Sequence, residues 1–268
     1  MGFSYAGSLL GGAPVVRRFQ AGTDLYVGNL VQTGLVNPAH GGHVEIAEAE
    51  GEAFENDQPI VGLVSAIADA SRTYVAAVSG TAGYGDKSTY TTTQATIAAN
   101  LGTGKTGGAE VDVTLIIPQI TLVRAPIYNG AWGTALTEMV ATSASSTGVT
   151  ITATGDAIAD FTPAFGTIYC RSGANRGHYR IMTTTTSTTV NTVVIPFPYG
   201  IVAGDVFVAA GIRLGMSTLN FPATADCIDG NLVQTNYYPA FYHDINLEES
   251  GKEYAIFSTM NNWAAPAT

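Results

Sequence analysis

Three short runs separated by turns decide the fold: Gly166-Thr-Ile-Tyr-Cys170, His178-Tyr-Arg-Ile-Met182 and Thr189-Val-Asn-Thr-Val-Val-Ile195. Each run is rich in β-branched or aromatic residues, and the intervals are rich in Gly, Ser and Thr. This pattern is typical of strands in an antiparallel sheet. The short, regular spacing of the runs is the spacing found in β-sandwiches and β-barrels.

The same pattern continues along the chain in both directions. It recurs at Gly148-Val-Thr-Ile-Thr-Ala153 and at Asp205-Val-Phe-Val-Ala209. Four earlier runs have the same character, at residues 24–32, 59–67, 74–78 and 111–117. Helical periodicity is scarce, because its only candidates, residues 45–55 and 93–101, are short enough to be loops or single turns. The sequence therefore predicts an all-β protein.

The runs form two groups, separated by a Gly-, Ser- and Thr-rich connection near residue 138. We expect two small antiparallel β-barrel or sandwich domains, an inner one at residues 21–138 and an outer one at residues 139–222. Residues 223–268 are predicted to be a C-terminal β-segment and tail that pack back on a β-domain. Residues 1–20 are predicted to be an extended arm, because their glycines and Pro14 prevent a stable helix.

The arm and the C-terminal region carry side chains suited to contact with another subunit. In the aromatic run at residues 237–243, strand alternation would send adjacent rings to opposite faces, so at least one ring would meet a partner. The candidate partner-contact residues are Val15, Val16, Arg17, Arg18, Phe19, Tyr237, Tyr238 and Trp263.

Charged residues are scarce, at 12% of the 268 residues, and the formal net charge is −10. Lys and Glu usually supply solubility and protect strand edges, so their scarcity favours a surface that other subunits cover. A Thr-coated monomer is the alternative. The acidic balance argues against direct binding of nucleic acid, which needs clustered Lys and Arg.

Cysteine content and hydropathy indicate the compartment. Two cysteines, Cys170 and Cys227, make no disulfide framework, so we expect reduced thiols in a protein made in a reducing cytoplasm. No apolar run reaches 18 residues, and Arg17 and Arg18 follow the short apolar N-terminal stretch. We therefore expect neither a membrane span nor a secretion signal.

Several motifs approach a chemical site without completing one. Residues 99–106 end in Gly-Lys-Thr, but Ala99 stands where a phosphate-binding loop requires glycine. His40, His43 and Glu45 are possible zinc ligands on a glycine-rich stretch, and the acidic residues from Glu45 to Asp57 lack the spacing of a calcium loop. No Gly-x-Ser-x-Gly motif occurs. We expect no catalytic, cofactor-binding or metal site.

Two parts of the chain resemble phage virion proteins. Residues 21–67, with Ala21-Gly-Thr-Asp-Leu-Tyr-Val-Gly-Asn-Leu-Val-Gln32 and Asp57-Gln-Pro-Ile-Val-Gly-Leu-Val64, are similar to the small β-barrel of bacteriophage head-decoration (capsid cement) proteins. Residues 173–208 are similar to β-modules that recur in phage virion proteins. The resemblance implies a non-enzymatic homotrimer on the outer surface of the virion, bound to the major capsid protein.

The chain is longer than the simplest cement proteins, which fits an added outer domain. We hypothesise that residues 1–20 and the inner domain contact the shell, while residues 139–222 face outward. The main alternative is a phage tail or receptor-binding structural protein that recognises host surface glycans through Thr-rich loops and exposed aromatic rings. The major capsid subunit itself is disfavoured, because the chain has no segment for a long helix. An unrecognised hydrolase stays a further alternative.

Overall fold

The computed structural model describes residues 2–21, 25–33, 43–47, 60–67, 75–76, 88–90, 110–154, 166–187, 190–230 and 238–260. Within these ranges every regular element is a strand and there is no helix, so the prediction of an all-β protein is confirmed. The chain divides into two compact units. The first contains the described residues up to Ala125 together with Phe221–Cys227, and the second contains Pro126–Asn220 and Ile228–Met260.

A closed five-stranded barrel is the main feature of the first unit. Its strands follow the order β2, β5, β4, β6, β9, and every pair is antiparallel except β2 with β5. A small sheet of β3, β8 and β7 and the pairing of β1 with β10 complete the unit. The strands are β1 (Ser4–Ser8), β2 (Val16–Ala21), β3 (Leu25–Tyr26), β4 (Leu30–Thr33), β5 (His43–Ile46), β6 (Ile60–Ile67), β7 (Val75–Ala76), β8 (Ser88–Tyr90), β9 (Glu110–Leu115) and the part of β10 (Thr121–Tyr128) up to Ala125.

Strand alternation fills this barrel. In β9, Val111 and Val113 face the core, whereas Asp112 between them faces outward. Phe19 packs against the same core from β2. Gly62 in β6 allows a close approach, because a Cβ there would overlap the backbone carbonyl of Thr114 in β9.

A closed six-stranded barrel lies in the second unit, with the strand order β11, β12, β15, β14, β13, β16 and antiparallel pairing throughout. The remaining strands form a sheet in the order β10, β20, β19, β17, with β18 parallel to β10. The strands are β11 (Glu138–Ala141), β12 (Thr150–Thr154), β13 (Thr167–Cys170), β14 (Tyr179–Ser187), β15 (Val190–Val193), β16 (Val206–Ala210), β17 (Gly215–Thr218), β18 (Ile228–Asp229), β19 (Pro239–Asn246) and β20 (Tyr254–Thr259).

Among the described residues, the core of the six-stranded barrel is mainly apolar and includes a buried amide. Met139, Ile151, Ile168 and Phe207 are among its fully buried side chains. Asn191 is also buried, and its Nδ2 lies 4.0 Å from the Met139 sulfur. Phe207 meets Phe197 edge to face, with 5.6 Å between the ring centroids.

The predicted domain limits can be placed on this topology. The predicted arm, residues 1–20, contains β1 and all of β2 except Ala21, so β2 is a barrel strand. The six-stranded barrel runs from Glu138 to Ala210, within one residue of the predicted start of the outer domain. The limits themselves stay predictions. Of the two candidate helices, residues 45–46 lie in β5, and residues 93–101 lie outside the described residues.

Candidate functional site

The predicted partner-contact residues of the arm lie at the start of β2. Val15, Val16, Arg17 and Arg18 are exposed, whereas Phe19 packs against the barrel core. The Arg18 Nε atom lies 3.0 Å from Asp112 Oδ1, and both side chains are accessible to solvent. An ion pair of this kind stabilises by only about 0.2–1 kcal/mol.

The C-terminal candidates are only partly described. Tyr237 and Trp263 lie outside the described residues. Tyr238 is half-buried, and its carbonyl oxygen accepts a hydrogen bond from the Leu219 amide at 2.8 Å. The structure therefore places the five candidates of the arm next to one another in the first unit, and Tyr238 belongs to the second unit.

An exposed apolar loop joins β1 to β2 and extends the predicted contact set. We call residues 9–16, which include the first residue of β2, the N-terminal loop. Leu10 is 78% exposed and Leu9 is 53% exposed, and neither was singled out by the sequence. With Val15 and Val16 they place four aliphatic side chains in water. Ile117, in the turn between β9 and β10, is a fifth exposed aliphatic residue. Its carbonyl accepts a hydrogen bond from the Ile120 amide, and the Ile120 carbonyl accepts one from the Leu9 amide.

Hydrogen bonds hold the N-terminal loop at both ends. The Leu9 amide donates to the Ile120 carbonyl at 2.9 Å, and the Leu115 amide donates to the Val15 carbonyl at 2.8 Å. Within the loop, the Tyr5 hydroxyl donates to the Gly12 carbonyl at 3.1 Å. The apolar side chains are thus presented on a supported backbone, which lowers the entropy lost when a partner binds.

A second exposed apolar surface lies at one end of the six-stranded barrel. Because the strands alternate in direction around the barrel, the loops after β11, β13 and β15 share one end. We call this end the barrel-end surface. Its exposed side chains are Tyr179, Val194, Ile195, Tyr199 and Val202.

Hydrogen bonds and one cation–ring contact among the three loops support the backbone of the barrel-end surface. Ser145 and Ile201 exchange amide-to-carbonyl hydrogen bonds at 2.9 and 2.8 Å. Arg180 lies over the Phe197 ring at 5.2 Å, and its Nε donates to the Pro196 carbonyl at 2.9 Å. Gly148, at φ +66°, leaves no room for a Cβ against the Phe197 carbonyl.

Buried ionic and thiol groups elsewhere in the second unit have structural surroundings. Arg171 joins Glu253 at 2.5 Å and Glu138 at 2.7 Å, and its Nε donates to the Leu247 carbonyl at 2.9 Å. Burial raises the pKa of the Cys170 thiol to about 11, so this thiol stays protonated at neutral pH and is a poor nucleophile. Cys170 and Cys227 are both buried free thiols in the structure.

The chemical motifs of the sequence fall largely outside the described residues. His40 and residues 99–106 are not described, and His43 contributes a backbone position in β5. Across the described ranges, no group of three or more His, Cys, Asp or Glu side chains is placed to hold a metal ion. Those ranges also contain no helix that is long and apolar enough to cross a membrane.

Comparisons of the chain with protein-family models, with curated proteins and with solved structures find no match.

Proposed function

We propose that the chain is a structural virion protein that binds the outer surface of an assembled capsid and stabilises the shell. The observation that carries the proposal is the N-terminal loop, which exposes Leu9, Leu10, Val15 and Val16 on a hydrogen-bonded backbone. Four exposed aliphatic side chains on one eight-residue segment make it a candidate site of protein contact, because large exposed apolar surface marks such sites.

The edge of β1 supports the same proposal. β1 pairs with β10 on one side, and none of the described strands pairs with its other side. An edge strand with unpaired backbone groups can add a strand from another protein, and the side chains beside it supply specificity. Since β1 leads directly into the N-terminal loop, one stretch offers both backbone pairing and apolar contact.

Such a contact would gain its strength from many copies of the protein bound to one shell. Burial of one exposed Leu side chain contributes about 1.5–3 kcal/mol before the costs of association. One loop would therefore bind weakly by itself. A protein that is anchored at many equivalent positions of a shell, or through several linked copies, converts weak contacts into high avidity. No catalytic group is needed for this function.

Binding to purified capsids of the virus that encodes the chain tests the proposal. Deletion of residues 1–20 would remove most of barrel strand β2, so point substitutions in the loop are cleaner. We expect the double variant Leu9→Ser, Leu10→Ser to lose at least about tenfold in affinity, the factor that 1.4 kcal/mol produces. The matched control is Leu214→Ser, an exposed leucine of the second unit, which should bind like the unsubstituted protein.

Circular dichroism shows whether the loop variant keeps its β-structure. Unchanged capsid binding by a folded Leu9→Ser, Leu10→Ser protein would overturn the assignment of the loop.

A further inference from the structure

The strand β17 forms one edge of the sheet in the second unit. It pairs with β19 on one side, and none of the described strands pairs with its other side. An edge strand with unpaired backbone groups can recruit a strand from another molecule, and natural proteins often prevent this with a charged side chain at the edge. The surroundings of β17 therefore show whether its edge is open or closed.

The register of β17 on β19 shows which backbone groups face outward. The Leu219 amide, just beyond β17, donates to the carbonyl of Tyr238, the residue directly opposite, at 2.8 Å. Hydrogen-bonded and non-hydrogen-bonded pairs alternate along an antiparallel ladder. Met216, which lies opposite Phe241 and three residues before Leu219, therefore belongs to a non-hydrogen-bonded pair. Its amide and its carbonyl point away from β19, toward the edge.

The side chain of Arg213 covers this outward carbonyl. Arg213 Nε donates to the Met216 carbonyl oxygen at 3.0 Å, across a turn in which Gly215 adopts a φ of +84°. The amide nitrogen of an added strand would have to lie about 2.9–3.0 Å from the same oxygen. The guanidinium thus stands beside β17 where the backbone of an added strand would lie.

The side chains next to this carbonyl would favour strand pairing if the edge were open. Met216 and Phe241 are directly opposite one another, and both are exposed. An exposed apolar edge strand is a site of aggregation when nothing protects it. Arg213 supplies a positive charge and a hydrogen-bond donor at the position where such pairing would begin.

We infer that Arg213 prevents the β17 edge of one copy of this chain from pairing with the β17 edge of a second copy. Without it, two β17 strands could pair antiparallel about a two-fold axis, with the same residues contributed by each copy. With it, two guanidinium groups would lie at the shared edge, and their like charges would add to the steric obstacle. This inference concerns the free protein and does not rest on binding to a capsid.

Removal of the guanidinium tests the inference. Light scattering after size-exclusion chromatography should give Arg213→Ala a mass about twice that of the unsubstituted protein at the same concentration, because a two-fold contact joins copies in pairs. The matched control is Arg176→Ala, which removes an exposed arginine from the loop after β13 and should leave the mass unchanged. An Arg213→Ala protein with the mass of the unsubstituted protein would overturn the inference.

Two double variants show whether the backbone of β17 makes the new contact. Proline is tolerated on an edge strand where the amide points outward, and it removes that donor. Arg213→Ala, Met216→Pro should therefore return to the mass of the unsubstituted protein. Arg213→Ala, Met216→Ala loses the Met216 side chain but keeps the amide, so it should stay associated. Association that persists with the proline, as a misfolded protein would also show, or that disappears with the alanine would contradict pairing through the β17 edge.

Discussion

The side-chain amide of Asn175 holds the backbone of Tyr199 at both of its polar groups. Asn175 Nδ2 donates to the Tyr199 carbonyl oxygen at 2.9 Å, and Asn175 Oδ1 accepts from the Tyr199 amide at 3.0 Å. Asn175 is buried, although Tyr199 itself is 58% exposed. The Asn175 side chain thus makes the two hydrogen bonds that a neighbouring strand would make with Tyr199. It fixes an apolar loop that lies outside the strands.

Replacement of this amide should destabilise the protein and loosen the barrel end. Asn175→Ala removes both hydrogen bonds, so we expect a loss of about 1–3 kcal/mol in the free energy of unfolding. Urea denaturation measures that loss. Ser146→Ala, at an exposed position of the same barrel end, should change the free energy by less than about 0.5 kcal/mol. Equal free energies of unfolding for the two variants would mean that the hydrogen bonds between Asn175 and Tyr199 do not stabilise the protein.

The buried ion pair of Arg171 and Glu253 should be costly to break from one side. Their side chains are 7% and 0% exposed, and Glu253 Oε2 has no hydrogen-bond partner in the described structure. Arg171→Met leaves the Glu253 carboxylate buried without a counter-charge, which should cost about 3–5 kcal/mol of stability.

The double variant Arg171→Met, Glu253→Leu provides the control for the ion pair. It removes both charges, and we expect it to recover most of the stability that Arg171→Met loses. Chemical denaturation of both variants gives the comparison. A double variant as unstable as Arg171→Met would show that packing, and not the uncompensated charge, explains the loss.

Gly62 should tolerate no side chain. Its Cβ would overlap the Thr114 carbonyl in the paired strand, so Gly62→Ala must separate β6 from β9. We expect a loss at the upper end of the roughly 1–3 kcal/mol that overpacking costs. Gly12→Ala, in the same unit, has open space around it and only a positive φ of 97° to accommodate, at about 1 kcal/mol. Denaturation midpoints that rank the two variants in the opposite order would contradict the β6–β9 packing.

The Cys170 thiol should make stability fall at high pH. The ordinary thiol pKa of 9.0 applies to the unfolded chain, whereas burial raises the pKa in the folded protein to about 11. Below pH 9 both states are protonated and the contribution is complete. Between about pH 9 and pH 11 only the unfolded thiol ionises, so the folded state loses stability as pH rises.

Cys170→Ala isolates this effect. Burial also raises the pKa of Tyr242 and of Tyr169, and both groups are common to the two proteins. Cys170 is only the smallest of the causes that raise the pKa of Tyr169, so most of that contribution cancels in the difference. Denaturation from pH 8 to pH 11 should show a steeper loss for the unsubstituted protein than for Cys170→Ala. Parallel pH profiles would mean that the Cys170 thiol ionises at the same pH in both states.

The strands that the sequence revealed are those rich in β-branched and other apolar residues. Residues 59–67 correspond to β6 and residues 111–117 to β9, because such residues dominate both runs. β10 was not predicted, since Pro126 near its end resembles a connection and a proline cannot donate to a ladder. The glycines around β1 and β2 favour an extended arm over strands, so the sequence does not reveal these two strands.

The sequence could predict part of one candidate surface but not the other. Val15 and Val16 could be selected from the sequence because they are apolar residues in a helix-averse segment. The barrel-end surface could not, since Tyr199 depends on Asn175 from a different loop, and only the barrel topology brings them together. A local signal was present nonetheless, because the apolar residues 194–199 fill a loop where polar residues are usual.

The central claim is that this chain stabilises an assembled shell, and the thermal disruption of capsids tests it most directly. Capsids that lack the protein are heated alone and with saturating amounts of it, and particle integrity is followed by light scattering. We predict that the protein raises the disruption temperature and that the Leu9→Ser, Leu10→Ser variant at the same concentration does not. An unchanged disruption temperature with the unsubstituted protein bound to the shell would contradict the account.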